Sequence, residues 1–431
     1  MRIILVNYRY FVSGGPERYM FEVKRLLEGA GHEVVPFSVR YARNRPTRWD
    51  GFFADPIAGE DEVTFQEHTW TPGSVAMALR RSVYDREVHR RLAALIDQVQ
   101  PDVALVLHFL RKLSPAVLTA FRDAGVPVVV RLSDYMLVCP EQHMLRAGRP
   151  CEECIDRGLW SSVRYRCIQR SLAASVVNYG ASRYHTLRGY LEIVERFVTP
   201  SRFLRDEMVR GGWDGHRIVH IPTFVETSDV PATGDSSRDV VAYVGRVDAI
   251  KGADVLVDAF GLVKRDGAYP GIRLIMAGDD GSPDSERLRA RVTAAGIPNV
   301  EWMGFLPRAD VLKVLSRSAF SVVPSLCYDN LPNALLESWA CGAPVLVSDV
   351  GSLRETIDGS GAGALFARGS ASDLAAAMRR LLDDPAACRK MGERGRDAVA
   401  RTYAPAEHLA RLSTVLEDAV AAGRPASPCP I

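Results

Sequence analysis

The feature that most constrains the fold is a repeated alternation of short apolar runs with longer amphipathic segments. Apolar runs of strand length occupy residues 2–8, 101–109 and 126–134, with segments of helical periodicity between them. A second series of the same kind starts at DVVAYVGRV and continues to APVLVSDV. Strands that alternate with helices form parallel sheets, because each crossover helix covers a face of the sheet. The sequence therefore predicts an α/β protein with two doubly wound units.

The length and the position of a break in this pattern predict the domain boundary. A chain of 431 residues is longer than one hydrophobic core usually supports. Regular alternation stops after residue 139 and resumes near 195–202. We therefore expect an N-terminal domain at 1–198, a C-terminal domain at 199–415 and a flexible tail at 416–431. The polar stretch 229–239 is expected to be a loop within the second domain.

The overall composition disfavours several classes of protein. The net charge is only +2, which gives no sign of a nucleic-acid partner. No apolar run approaches the roughly 20 residues that span a bilayer, and the first residues lack the layout of a signal peptide. We therefore expect a cytoplasmic protein, with contact at the inner face of the membrane left open.

The segment GRVDAIKGADVL ends a predicted strand and begins a predicted helix. Gly245 allows a close turn, and Arg246 and Lys251 follow near the carboxyl end of that strand. Ligands of such sheets bind at the carboxyl ends of strands, and two cations there suit a diphosphate. The alternative is that both cations are solvated on the surface.

The segment CYDNLPNALLESWACGAPVLVSD contains two carboxylates, Asp329 and Glu337, around a predicted helix start. Asn330 is expected to be the N-cap, Pro332 to lie in the first turn, and Gly342 to end a helix of about three turns. The two carboxylates suit the vicinal hydroxyls of a ribose or a sugar, and the helix start suits a phosphate. The alternative is a capping Asp and an exposed helix Glu.

Four cysteines follow the spacing C-x11-C-x2-C-x12-C. They are Cys139, Cys151, Cys154 and Cys167. The central C-x2-C pair has the spacing of a zinc knuckle, so a structural zinc bound by the four sulfurs is predicted. An iron–sulfur cluster, a disulfide or free thiols are the alternatives.

The part of this region at 157–170 is rich in arginine and aromatic residues. Such a composition suits an arm that binds the acceptor or a patch that contacts anionic lipid. A solvated basic hairpin is the third alternative.

Several motifs together resemble the retaining glycosyltransferases of family 4. They are SGGPERY, VGRVDAIKGADVLVDAF and the Asp-x7-Glu stretch before CGAPVLVSDVGSLRE, and the likeness extends over nearly the whole chain. The resemblance implies the GT-B fold, in which two Rossmann-like domains face a cleft. It also implies that residues 139–170 form a cysteine-rich insertion in an N-terminal acceptor domain, followed by a nucleotide-sugar donor domain.

The resemblance also implies residue roles on the donor side. Arg246 and Lys251 would bind the donor diphosphate, Glu337 the ribose, and Asp329 the hydroxyls of the donor sugar. The remaining residues expected to line the donor are Gly14, Gly15, Gly245, Met303, Asn330, Leu331, Pro332 and Asn333.

Two positions depart from the family pattern. The first acid is Asp329 where the family usually has Glu, and Ser133 stands where the family usually has His before Asp134. Ser133 and Asp134 are expected on the acceptor side. His108 matches another frequent histidine position, where it is expected either to line the cleft or to be structural.

The activity implied is transfer of a sugar from a UDP- or GDP-sugar to a hydroxyl of a glycan, glycolipid or natural product. The leaving diphosphate would assist attack on its own face of the sugar, without a catalytic metal. A sugar-nucleotide-binding module weakened at Asp329 and Ser133 is the alternative. An NAD-dependent oxidoreductase is disfavoured, because no G-x-G-x-x-G follows the first strand.

Overall fold

A computed structural model describes residues 1–65, 67–231, 238–265, 267–278 and 281–423. Its core consists of two six-stranded sheets, and every strand pair in these sheets is parallel. The predicted α/β class with two doubly wound units is therefore confirmed. Most of the polar stretch 229–239 lies outside the described residues.

The first sheet is formed by the N-terminal half, with the strand order β2-β1-β3-β4-β7-β8. Strands β5 and β6 form a separate antiparallel hairpin. The strands of this half are β1 Arg2–Val6, β2 Glu33–Phe37, β3 Val103–Val106, β4 Val128–Arg131, β5 Leu145–Arg146, β6 Arg149–Pro150, β7 Val194–Thr199 and β8 Ile218–His220. Its helices are α1 Gly15–Gly29, α2 Pro72–Val83, α3 Arg86–Val99, α4 Ala116–Asp123, α5 Glu153–Asp156, α6 Ser161–Arg164, α7 Leu172–Leu187 and α8 Arg202–Arg210.

The second sheet has the strand order β11-β10-β9-β12-β13-β14. Its strands are β9 Val240–Val244, β10 Arg273–Ala277, β11 Val300–Gly304, β12 Ser318–Val323, β13 Val345–Ser348 and β14 Gly363–Phe366. The helices that follow are α9 Ala253–Lys264, α10 Pro283–Ala294, α11 Arg308–Ser316, α12 Asn333–Ala340, α13 Gly351–Ser360, α14 Ala371–Asp383, α15 Pro385–Thr402 and α16 Pro405–Gly423. Short 3-10 turns occupy Asp50–Phe52, Tyr190–Ile193 and Gly215–Arg217.

The central strands are apolar because helices cover both faces of each sheet. All residues of β3, β4 and β13 are buried. A parallel sheet that is covered on both faces has apolar side chains on both. Its strands therefore appear in the sequence as continuous apolar runs, without alternating polar residues. The two sheets thus provide two rigid platforms whose loops can carry a site.

The first sheet extends beyond the boundary expected at residue 198. Strand β8 pairs with β7 through the register Phe197–Ile218, Val198–Val219 and Thr199–His220. Helix α8 and β8 therefore complete the first doubly wound unit. The alternation that resumes near 195–202 does not reveal which sheet a strand joins, and β8 joins the sheet of the first half.

The C-terminal segment returns to the first sheet and is helical where a flexible tail was expected. Helix α16 runs to Gly423 and buries Leu412, Val415, Leu416 and Ala419 in the same cluster as Leu5 of β1. These four positions have helical spacing, so the part of the predicted tail at 416–423 is corrected to helix. The remainder of the tail, 424–431, lies outside the described residues.

Each sheet reverses its strand order beside its first strand. The reversal lies between β1 and β3 in the first sheet and between β9 and β12 in the second. Loops that leave diverging neighbours at such a point form a crevice at the carboxyl ends of the strands. The loops after β1, β3, β9 and β12 are therefore where the fold favours ligands.

Within the described residues, no helix combines the length and apolar character needed to cross a membrane.

Candidate active site

The loops after β9 and β12 are held together by backbone contacts. The Leu326 N–H donates to the Ile250 carbonyl oxygen at 2.9 Å. Gly252 has a φ of +69°, and a Cβ on it would lie 2.0 Å from the Pro324 carbonyl oxygen. Glycine is therefore required between Lys251 and α9 for this close approach.

An ion pair between these loops joins two of the predicted catalytic residues. The Lys251 ammonium donates to Asp329 Oδ2 at 2.6 Å, and the Ser325 hydroxyl donates to the same oxygen at 2.7 Å. Burial alone would lower the pKa of Lys251, but the Asp329 carboxylate outweighs it and raises that pKa. Burial would raise the pKa of Asp329, but Lys251 and Ser325 hold it below its ordinary value. Both groups are thus charged at neutral pH.

Helix α12 begins two residues later than the sequence predicts. Its N-cap is Pro332, its first residue is Asn333, and it is eight residues long, so Asn330 is not the N-cap. Leu331 has a φ of +54°. This left-handed residue, strained for a branched side chain, turns the loop before the helix begins.

Asn330 instead contacts Ser201, the N-cap of α8 in the first half. Its Oδ1 accepts a hydrogen bond from the Ser201 hydroxyl at 2.8 Å. Its Nδ2 is buried, and among the described residues it has no hydrogen-bond partner. A buried donor without a partner is costly, so a ligand oxygen at this point would satisfy it.

Glu337 lies in α12 and is buried, which excludes the alternative of an exposed helix Glu. Arg18 of α1 donates to its Oε1 at 2.7 Å, and Arg308 lies 3.5 Å from the same oxygen. Burial raises the pKa of Glu337, while the two guanidinium groups oppose this shift. The sequence analysis missed both arginines as site residues, although Arg18 follows the Gly-Gly loop by only three positions.

The Gly-Gly loop of the first half faces α12. A Cβ on Gly15 would lie 3.6 Å from Asn333 Nδ2, so the start of α1 and the start of α12 approach each other. Gly14 is the N-cap of α1, with extended backbone. Two helix N-termini, each a partial positive charge, therefore converge on the same crevice.

On the first sheet, His108 and Asp134 are brought together from the ends of β3 and β4. His108 Nε2 lies 3.5 Å from Asp134 Oδ2, and His108 Nδ1 lies 3.2 Å from Asn7 Oδ1. Burial would raise the pKa of Asp134, but hydrogen bonding to His108 holds it below its ordinary value. Ser133 accepts a hydrogen bond from the buried Arg131.

The remaining predicted donor residues are more exposed or peripheral. The Arg246 side chain is 61% exposed and lies 3.3 Å from Asp248. The Gly245 N–H donates to the Ala277 carbonyl at 3.0 Å, which joins the ends of β9 and β10. Met303 is 45% exposed on β11, the edge strand of its sheet.

The four predicted zinc ligands lie in one neighbourhood without forming a ligand set. Burial raises the pKa of the Cys154 thiol to about 12, and the charges of Cys139, Cys167 and Cys151 add to this shift. In the part of the chain that the structure describes, no group of three or more His, Cys, Asp or Glu side chains could hold a metal ion. The side-chain geometry therefore gives no support to the predicted zinc.

The cysteine-rich segment 139–170 contacts the loop that carries Asp329. The Tyr328 hydroxyl donates to Glu152 at 2.6 Å, and Arg368 donates to both the Gly148 and Leu326 carbonyls at 3.1 and 3.4 Å. Residues of the first half therefore contact the loop between β12 and α12.

Comparisons with known proteins agree with this architecture. Residues 13–229 match the family described as Glycosyltransferase Family 4, and residues 226–398 match Glycosyl transferases group 1. A relative named glycogen synthase, from Mycobacterium tuberculosis, is 30% identical over 426 residues, covering 94% of this chain and 91% of the relative.

Solved structures share the fold at low sequence identity. Sucrose-phosphate synthase from Thermosynechococcus elongatus has a TM-score of 0.69 and 18% identity, with 98% of this chain and 99% of that chain covered. Anabaena HepE in complex with UDP-glucose has a TM-score of 0.64 and 15% identity, with 97% and 100% covered. These likenesses confirm the GT-B architecture. The chain therefore belongs to Glycosyltransferase Family 4, a family of retaining glycosyltransferases.

Proposed function

We propose that the crevice between the two sheets binds a UDP-sugar and transfers its sugar to a hydroxyl acceptor. The observation that carries this proposal is the buried Lys251–Asp329 ion pair beside the start of α12. A cation, a carboxylate and a helix N-terminus at one point suit a diphosphate joined to a polyhydroxylated ring. The UDP-glucose bound to the similarly folded HepE supports uridine as the base.

The diphosphate would lie against Lys251, Arg246 and the starts of α1 and α12. Arg246 is exposed and can turn toward a ligand, since its contact with Asp248 is weak at 3.3 Å. Lys251 is already oriented by Asp329 and would share its remaining N–H donors with a phosphate oxygen. Backbone N–H groups near Gly15 and Asn333 would add further donors.

The ribose and the sugar would use the two carboxylates. We assign the ribose hydroxyls to Glu337 and the donor-sugar hydroxyls to Asp329, with the unpaired Asn330 Nδ2 as a nearby donor. Leu331, Pro332 and Asn333 would line the sugar through their backbone, as would Gly14, Gly15 and Gly245 for the diphosphate. Met303 would flank the uracil from the edge of the second sheet.

The acceptor would approach from the side of His108, Ser133 and Asp134. In the transfer, the bond from the sugar C1 to the diphosphate oxygen breaks, and a bond from C1 to the acceptor oxygen forms on the same face. The acceptor proton passes to the leaving diphosphate oxygen. Lys251 and Arg246 stabilise the negative charge that develops on that diphosphate, which is the main catalytic contribution of the protein.

The test is UDP-sugar hydrolysis, which needs no knowledge of the acceptor because water can replace it. We expect UDP to raise the midpoint of thermal unfolding more than GDP, CDP, ADP or NAD at equal concentration. We also expect slow release of UDP from one of a panel of UDP-sugars. Stabilisation by GDP alone would assign a guanosine donor, and binding without any turnover would favour the weakened binding module.

Two finer proposals concern the cysteine-rich segment and the location of the protein. A structural zinc at Cys139, Cys151, Cys154 and Cys167 would require the thiols to reorient, and metal analysis of the purified protein tests it. We also propose a cytoplasmic protein that contacts anionic lipid through 157–170, where its arginines and aromatic side chains lie.

A further inference from the structure

Large apolar side chains are concentrated on one surface of the first half. Of the fourteen that are exposed among the described residues, ten belong to α2, α7 and the segments next to them. We call these ten the apolar face: Trp70, Val75, Leu79, Val83, Trp160, Leu172, Val176, Val177, Tyr184 and Leu187. Scattered apolar residues on a surface are ordinary, but a contiguous group marks an interaction site.

The apolar face is continuous because its elements contact one another. His185 of α7 donates through Nε2 to the Val83 carbonyl at the end of α2, at 2.9 Å. The Trp160 ring meets the Tyr179 ring of α7 edge to face, with centroids 5.2 Å apart. At the other end, Trp70 stacks on Phe65 just before α2.

Helix α7 has its polarity reversed relative to an ordinary surface helix. Its buried positions include Ser175 and His185, whereas Leu172 is 51% exposed and Leu187 76% exposed. Leu172, Val176 and Leu187 are spaced i, i+4 and i+15, which places them within about 60° of one another on one helical stripe. A helix that directs its apolar stripe outward requires a partner that can cover it.

The charges around the apolar face are all positive over a long segment. Between residues 157 and 191 the chain contains six arginines and no aspartate, glutamate or lysine. Arg183 is exposed within the stripe of α7, and Arg80 is exposed on α2 with its partner Asp85 buried beneath it. The α7 side of the face therefore presents apolar side chains in a positive field, whereas Glu62 lies beside Trp70 at the other end.

The positive charge of these arginines favours one partner for the apolar face over another. In a symmetric dimer the same patch meets itself, which would bring the arginines of one copy against those of the other. An anionic bilayer complements both properties, because acyl chains accept the apolar stripe while headgroup phosphates pair with the arginines. Tryptophan side chains such as Trp70 and Trp160 favour the boundary between the two layers.

We propose that the apolar face, extending well beyond 157–170, docks the N-terminal half on an anionic lipid surface. Helices α2 and α7 would lie parallel to that surface with their apolar stripes at the headgroup boundary. This proposal concerns binding to lipid and does not depend on which sugar is transferred.

The experiment is sedimentation of the full chain with vesicles of phosphatidylcholine, with and without phosphatidylglycerol. We expect binding to the anionic vesicles that weakens with added salt. The double variant Leu172→Ser/Val176→Ser should bind at least about tenfold more weakly. The double variant Arg170→Ser/Arg183→Ser should lose roughly 30-fold, and only on anionic vesicles.

Matched controls separate docking from general surface effects. Val209→Ser removes an equally exposed valine of α8, and Arg401→Ser removes an exposed arginine of α15, both outside the face. Both controls should bind as the unaltered chain does. Failure of that chain to bind anionic vesicles, or equal losses in the controls, would overturn the proposal. So would a dimer in sedimentation velocity that only Leu172→Ser/Val176→Ser converts to monomer.

Discussion

The two halves of the crevice differ in how their polar side chains are satisfied. On the proposed donor side, Arg246 is exposed and the amide nitrogen of Asn330 is buried without a partner among the described residues. On the proposed acceptor side, Asp134 accepts from the Met136 N–H at 2.9 Å and contacts His108, and Ser133 accepts from Arg131. His108 and Asp134 therefore orient each other, whereas Arg246 and the Asn330 amide keep donors that a charged ligand could use.

This difference predicts two kinds of mutational effect. Donor-side changes should alter nucleotide affinity and turnover together, because those groups would contact the diphosphate and the ribose. Acceptor-side changes should alter turnover while leaving UDP affinity intact. Turnover and UDP affinity, measured for each variant, therefore test this division between the two sides.

The largest effect is expected for Lys251→Met. Loss of this cation should lower UDP-sugar turnover by about 10²- to 10³-fold, the scale of removing one group that stabilises a developing anion. It also leaves Asp329 buried without its counter-charge, so the free energy of unfolding should fall by about 3 kcal/mol. Steady-state kinetics and denaturant unfolding measure the two losses.

The double variant Lys251→Met/Asp329→Asn separates these losses, since it removes the unpaired charge. Stability should return toward that of the unaltered chain, while turnover stays low. Lys313→Met, at an exposed ion pair with Asp310, serves as the control for losing a lysine. Near-normal turnover in Lys251→Met would remove this residue from the diphosphate site.

The second largest effect is expected for Glu337, which accepts a hydrogen bond from Arg18 of the first half. Glu337→Gln should weaken UDP binding by about 1.5–3 kcal/mol, the scale of a charge-assisted hydrogen bond. Titration calorimetry with UDP measures this change, and Glu393→Gln on the exposed side of α15 is the control. UDP binding unchanged by Glu337→Gln would exclude a ribose contact there.

The sequence was most informative where neighbouring residues form the site. The cation pair after β9 and the carboxylate after β12 were both predicted, but their direct contact was not. Lys251 and Asp329 are 78 positions apart, and only the strand order places their loops side by side. A contact between two loops depends on topology, which periodicity in one sequence does not reveal.

Long-range partners account for most of what the sequence did not predict. Arg18 and Arg308 reach Glu337 from α1 and α11, and each is an unremarkable surface cation in the sequence. The α16 helix was missed for another reason. The composition near the end of α16 predicts disorder. Leu416 is buried against the first sheet, however, and this burial stabilises the helix.

A smaller effect is expected on the acceptor side, for Asp134→Asn. Loss of the charged contact with His108 should lower turnover about tenfold, corresponding to about 1.5 kcal/mol. UDP affinity should stay unchanged, because no proposed nucleotide contact involves Asp134. Kinetics and UDP titration on the same preparation test both parts. A matching loss of UDP affinity would contradict the division between the two sides.

The smallest effect, on the pH dependence of stability, is expected where α16 packs against the first sheet. His408 Nε2 lies 3.0 Å from the Tyr19 hydroxyl, and Nδ1 donates to the Pro222 carbonyl at 2.8 Å. Burial lowers the pKa of His408 from 6.5 to about 3, with Arg131 and Arg411 adding to the shift. The folded state therefore holds this ring neutral.

Between these two pKa values the unfolded chain binds a proton that the folded chain does not. Stability contributed by the neutral ring is therefore complete above pH 6.5 and is lost as the pH falls toward about 3. We expect a loss of about 1 kcal/mol between pH 6.5 and about pH 5.5 from this residue. His220, whose pKa burial lowers to about 4, acts in the same direction.

His408→Gln should flatten part of this pH dependence of stability in denaturant unfolding, whereas His216→Gln, at an exposed site, should leave it unchanged. A slope that His408→Gln does not alter would mean that the acid sensitivity of the fold arises elsewhere than at the crossing helix.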